Sequence, residues 1–129
     1  MRFWFPKVEM IPSLTQLLAA MVALALVDAV WLFTAGQYAL QMTERIQGSP
    51  VVFGPVAAFV VYVALAYLVY QVKTPVEAGL LGAATYAVYD FTSLAILKKY
   101  EVGMAIADTV WGGVLFATVF SILKYFKLH

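Results

Sequence analysis

Three aspartates are the residues in this 129-residue sequence best placed to do chemistry. Asp28, Asp90 and Asp108 each stand as the one charged residue in the interior of a long apolar stretch. Setting a charged side chain at mid-membrane costs about 2.5 to 3.5 kcal/mol, so such residues face inward and are put to use. Two accounts of them are open. They form a hydrogen-bonded polar seam that fixes helix register, or they line a site for a proton, a cation or a polar headgroup. A carboxylate-only metal site lacks any histidine partner in the same stretches, and no metal is expected.

Their neighbours sharpen the geometry. Two tetrads match, Asp28-Ala-Val-Trp31 and Asp108-Thr-Val-Trp111. If their helices run antiparallel, Trp31 lies nearly level with Asp108 and Trp111 with Asp28. Each indole N–H can then donate to the other helix's carboxylate, satisfying a donor where there is no water. Along the third stretch Gly79, Ala83, Tyr86, Asp90, Ser93 and Leu97 recur at helical spacing, with Tyr89 and Thr92 on the flanks. The candidate polar cluster is therefore Asp28, Trp31, Tyr86, Tyr89, Asp90, Thr92, Ser93, Asp108 and Trp111.

These residues need helices to hold them. With 64% hydrophobic and 12% charged side chains, the chain lacks the polar cover of a soluble domain, where about 25% of residues are charged. Four apolar stretches, at about 14–38, 55–72, 76–97 and 105–125, approach the ~20 residues that cross a ~30 Å hydrocarbon core. The expected fold is all-α: a single domain over 1–129, an integral membrane antiparallel four-helix bundle. The first stretch is read as a retained span, because Leu17 to Ala35 exceeds the roughly 7 to 15 residues of a signal h-region.

Cap chemistry marks the starts. Ser13 with Gln16, and Thr74 with Pro75 and Glu77, have the form of capping boxes, and Gly54-Pro55 opens the second stretch. Lys98 and Lys99 close the third, where cations suit the helix dipole. The links are read as Gln41 to Pro50, Lys73 to Thr74 and Lys98 to Glu101, so consecutive helices should be antiparallel neighbours. At about 1.5 Å rise per residue, Asp28, Asp90 and Asp108 then lie roughly 13, 10 and 6 Å from the side opposite the termini, in one half of the bilayer. Small residues, Ala78, Gly79, Gly82, Ala83 and Ala84 against Gly112, Gly113 and Ala117, should bring the third and fourth helices close. The second span has no charge, and with Tyr62, Tyr67 and Tyr70 spread around it reads as a peripheral wall facing lipid or a partner.

Arg2, Lys7, Lys73, Lys124 and Lys127 on the terminal side outnumber Arg45, Lys98 and Lys99 opposite. Both termini are accordingly expected on the cytoplasmic or matrix-equivalent side of a bacterial cytoplasmic or organellar inner membrane. Phe3, Trp4 and Phe5 before Pro6, with Tyr125 and Phe126, read as an interfacial aromatic belt or a docking surface for a neighbouring protein. No cysteine is present, which excludes disulfides and thiolate chemistry. A net charge of +1 without a basic patch argues against nucleic acid as a partner.

The ordered set Asp28-Ala-Val-Trp31-Leu32, Tyr89-Asp90-Phe91-Thr92-Ser93-Leu94-Ala95 and Asp108-Thr-Val-Trp111-Gly112 resembles the domain of unknown function 2177 family, mainly bacterial small membrane proteins. The resemblance covers nearly the whole chain and implies four spans, with Asp28, Trp31, Tyr89, Asp90, Thr92, Asp108 and Trp111 as family positions. Ser93 stands where family members often carry Asn. The resemblance implies no activity. Two functions follow. One is an accessory subunit of a larger membrane complex, such as a respiratory or ATP-producing one, with membrane lipid and other membrane subunits as partners. The other is a stand-alone enzyme or carrier that uses the aspartates on a lipid or small polar solute, although no nucleophile, histidine base or phosphate loop supports catalysis. No cofactor is expected beyond bound lipid.

Overall fold

The computed structural model describes residues 11–129. Among the described residues the fold is all-α, with α1 Leu14–Leu32, α2 Gly36–Gln47, α3 Pro55–Val69, α4 Pro75–Ile96 and α5 Val102–Tyr125. The expected N-caps at Ser13 and Thr74 are in place, while Lys98 and Lys99 lie beyond the last turn of α4. Ser13 Oγ accepts from the Gln16 N–H and Gln16 Oε1 from the Ser13 N–H. Thr74 Oγ1 accepts from the Glu77 N–H, with Pro75 in the first turn where a missing N–H costs nothing. Phe3, Trp4, Phe5, Pro6, Arg2 and Lys7 lie outside the described residues.

Five helices replace the expected four, because the first apolar stretch breaks at Leu32. Thr34 turns its hydroxyl back onto the Val30 carbonyl at 2.6 Å, and a Cβ on Gly36 would stand 3.0 Å from the Trp31 carbonyl oxygen. After the turn at 33–35 a new helix, α2, runs across most of the segment read as a link. Ala39, Met42 and Ile46 recur on the inward side of α2, with Met42 buried, while Thr43, Arg45 and Gln47 face out. Gly48 ends it in the left-handed conformation, φ 74°.

Two helices, α1 and α5, are long and apolar enough to cross a membrane. At 15 residues α3 is apolar but rises only about 22 Å. The 22-residue α4 has the length, but Gly79, Gly82, Thr85, Asp90, Thr92 and Ser93 dilute its apolarity. The outer faces are greasy throughout. On α1, for example, Leu14, Leu18, Val22, Leu26 and Val30 form a stripe 50% to 72% exposed, far more apolar surface than water tolerates on a monomer.

Packing is uneven. The closest pair is α4 with α5, through the small faces expected to meet. A Cβ on Gly82 would overlap the Gly112 carbonyl oxygen and stand 2.7 Å from Phe116, so only glycine lets the two backbones approach this closely. α1 packs on α3 and α5, and Leu24, Leu115, Phe116, Val119 and Phe120 fill the half nearer the termini. Consecutive helices are not all neighbours as expected, since α3 and α4 hardly touch along their length. The reason is that α3 spends its inner face on α1: Tyr70 donates to the Gln16 carbonyl at 2.8 Å and Tyr62 reaches Asp28. The second span is thus not a peripheral wall; Leu65, Ala66, Val69 and Tyr70 are buried in the core and only Tyr67 of its tyrosines is exposed.

Candidate functional site

Ala20, Leu24 and Asp28 recur every four residues as the buried stripe of α1, which carries Asp28 into the protein. There each carboxylate oxygen has a donor. Tyr62 of α3 donates to Oδ2 at 2.6 Å, and the Trp111 indole of α5 donates to Oδ1 at 2.9 Å. Asp28 therefore knots three helices. Only one arm of the expected reciprocal clasp forms, because Trp31 lies flat on Trp111, centroids 5.5 Å apart at 15°, and its indole edge is not turned to Asp108.

Asp108 is paired otherwise. On α4 the buried positions Ala78, Gly82 and Asp90 share the face turned to α5, and Asp90 has no exposed surface. The carboxyl group of Asp108 stands close enough to that of Asp90 for the two to interact electrostatically. Asp90 Oδ1 accepts from the Tyr100 hydroxyl at 2.6 Å, whereas Asp90 Oδ2 is buried without a donor. Tyr86, half-buried, stands within electrostatic reach of all three aspartates and of Tyr62.

Of the nine residues expected in the cluster, Asp28, Trp31, Tyr86, Asp90, Asp108 and Trp111 come together. Tyr89 is 66% exposed at the rim, Thr92 faces outward, and the Ser93 hydroxyl is turned onto the Tyr89 carbonyl at 2.9 Å. Tyr62 and Tyr100 were not among the nine. Tyr62 carried one signal, a phenol in an uncharged span, and Tyr100 another, a phenol in the turn beside two helix ends. Among the described residues no group of three histidine, cysteine or acidic side chains is placed to hold a metal.

A cap covers this end of the molecule. Glu101 accepts from the Tyr38 hydroxyl and, at 2.8 Å, from Arg45 Nη2, while its backbone N–H points to Met42 Sδ at 3.4 Å. Three residues of α2 thus meet one residue of the 97–101 turn, next to Tyr100. The hydrogen bond to Glu101 holds the Tyr38 phenol above its ordinary pKa, and burial followed by the bond to Asp90 does the same for Tyr100, so both are neutral donors at physiological pH. For Tyr38 the sign follows from linkage: its contact with Glu101 is intact at neutral pH and is lost as pH rises through the raised value. A spin label at the exposed Gln41 should therefore gain mobility in strong alkali, and in a Tyr38→Phe variant it should already be mobile at neutral pH. Replacing Glu101 with alanine should leave global stability within about 1 kcal/mol, as exposed ion pairs contribute little. It should nonetheless speed tryptic cleavage after Arg45, read by gel.

A family model for predicted membrane proteins, DUF2177, matches residues 13–126. The chain belongs to this family. The part of this DUF2177 protein that the family model matches takes in all five helices, the three aspartates and the cap. The last residues lie beyond it: His129 Nε2 stands 3.0 Å from the Val69 carbonyl, its ring against Tyr70 and Phe120. No curated protein and no solved structure matches the chain. The DUF2177 description names a membrane protein and no activity.

Proposed function

We propose that this DUF2177 protein crosses the bilayer four times, through α1, α3, α4 and α5, with α2 lying along one membrane face as a cap. In this reading the protein acts as a carrier that takes a small polar or protonatable group into the site beneath α2. The carrying observation is the buried Asp90 carboxylate, which has an oxygen without a donor at the meeting of α4, α5 and the 97–101 turn. A purely structural seam would leave no such acceptor open, since each one is a cost.

Asp90→Asn separates the two accounts. The amide keeps the volume and supplies a donor toward Asp108, so the variant should accumulate in membranes like the parent and lose the cellular phenotype of the gene. Lost accumulation would instead mark Asp90 as part of a structural seam.

Topology is testable because the sequence has no cysteine to interfere. With the basic residues weighted to the terminal side, that side is the cytoplasmic or matrix-equivalent one. A membrane-impermeant maleimide should label Lys99→Cys in intact cells, and Lys73→Cys only after permeabilisation. Equal labelling of both would contradict the four-crossing arrangement.

A second reading rests on a groove of about 460 Å³ between α1 and α5, lined by apolar residues including Leu18, Val22, Leu26, Ile122 and Phe126. It fits a lipid chain or a neighbouring helix, as an accessory subunit of a respiratory or ATP-producing complex would require. Such a subunit should migrate in mild detergent within a large complex of fixed stoichiometry, and a lone monomer or dimer argues against it.

A further inference from the structure

We infer that Asp90 and Asp108 together hold one exchangeable proton, taken up from the face that α2 covers. The inference rests on the carrier reading of the same site and names the site's ligand. Each Asp28 oxygen already has a donor, Tyr62 on one and Trp111 on the other. The Asp90–Asp108 pair differs, because Asp90 is fully buried, Tyr100 serves only Oδ1, and Oδ2 has no donor. The Asp108 carboxyl interacts with that of Asp90 electrostatically, and two ionised carboxylates can only accept. A single proton turns one of them into a donor to the other, and it removes one of two like charges held side by side.

Other occupants fit less well. The titratable groups facing the pair are Tyr86 and Tyr89 on α4, Tyr100 on the turn, Asp28 on α1 and, through Tyr86, Tyr62 on α3. None is basic. Arg45 of α2 is held by Glu101, with Tyr38 on the same carboxylate. A hard cation wants about six oxygens, and no third acidic side chain closes on these two.

Tyr100 supplies a route. It sits in the turn beside Glu101, between the cap and Asp90. Its hydroxyl passes a proton to Asp90 Oδ1 while its oxygen takes one from hydronium at the membrane face. Two O–H bonds break, in hydronium and in the phenol, and two form, on the phenol oxygen and on Asp90, so water is left behind and the phenol stays neutral. Deeper in, Leu24, Leu115, Phe116, Val119 and Phe120 are packed without polar atoms, so the proton binds here and goes no further in this conformation.

Infrared difference spectra of the full chain in lipid nanodiscs, stepped in pH in H₂O and D₂O, test this. The expected result is a protonated-carboxyl band that shifts in D₂O and vanishes in both Asp90→Asn and Asp108→Asn. It should survive, displaced, in Asp108→Glu, which guards against loss through misfolding. Tyr100→Phe should keep the band and slow its exchange severalfold. A wild type without the band, or a band unchanged in both asparagine variants, overturns the inference. Exchange as fast in Tyr100→Phe as in the wild type overturns the route. The carrier reading is scored separately: a band as expected with an intact cellular phenotype in Asp90→Asn keeps the proton site and removes the carrier, and a lost phenotype without any band does the reverse.

Discussion

Replacing Gly82 with alanine should loosen α4 from α5 and lower the apparent Tm in mild detergent by a large margin for a single added methyl group. The new Cβ would meet backbone, the Gly112 carbonyl, which cannot rotate away, and Phe116 at 2.7 Å behind it. Overpacking of a well-filled contact costs about 1–3 kcal/mol when side chains can yield, and here the helices themselves must part. Gly112→Ala should behave alike, because its Cβ would stand 2.6 Å from the Gly82 carbonyl oxygen and overlap the Tyr86 ring. Gly103 lies in the same helix with nothing within 4 Å of an added Cβ. Gly103→Ala should accordingly be neutral or stabilising by up to about 1 kcal/mol, through lower chain entropy in the unfolded state. Equal Tm values for Gly82→Ala and Gly103→Ala would show that the α4–α5 contact is looser than described.

Asp28→Leu should be the most damaging substitution on α1. Leucine has the branched skeleton of aspartate but is bulkier, so no cavity opens, and the Tyr62 hydroxyl and the Trp111 indole both lose their acceptor inside the protein. Each stranded donor costs about 1–3 kcal/mol, so the pair should cost on the order of 2–5 kcal/mol in unfolding free energy. Tyr62→Phe takes one donor from Asp28 Oδ2 and leaves the Trp111 bond in place, so it should cost less, about 1–3 kcal/mol. The double variant should cost less than the two single costs combined, because Tyr62 has nothing left to lose once Asp28 is gone. Strict additivity in detergent unfolding curves would mean that Tyr62 and Asp28 do not interact.

The parts of this fold legible in the sequence are those that local chemistry dictates. Ser13 and Gln16, or Thr74, Pro75 and Glu77, satisfy one another within four residues, so their caps are visible without a structure. The glycines of α4 and α5 are similar, since few other residues let two helix backbones approach closely. The break at Leu32 was hidden because Phe33 and Ala35 continue the apolar run, so the turn leaves no mark in hydropathy. α2 was hidden for the opposite reason: Thr43, Glu44, Arg45 and Gln47 read as a polar link, while the inward Ala39, Met42 and Ile46 are too few to stand out.

The site was legible in its acids and not in their partners. Aspartate inside an apolar run announces itself by its cost. A tyrosine 34 positions away does not, because α3 is apolar on every side and its sequence cannot say which face turns inward. The matched tetrads placed Trp111 at the level of Asp28, but level is one coordinate. The stacking of Trp31 on Trp111 depends on rotation about the helix axis, which spacing alone leaves open.

The shortness of α3 has a mechanical consequence. In the proposed four-crossing arrangement, a 15-residue helix of about 22 Å would share the bilayer with the 24-residue α5, about 36 Å long. Lipid beside α5 can keep its full thickness or tilt the helix, while lipid beside α3 must thin to meet it. The protein is then a wedge to the membrane around it, and it should partition toward thinner bilayers. Thinning on the α3 flank also draws the headgroups, and the water among them, toward Tyr62 and the Asp28 knot, on a side the cap does not guard.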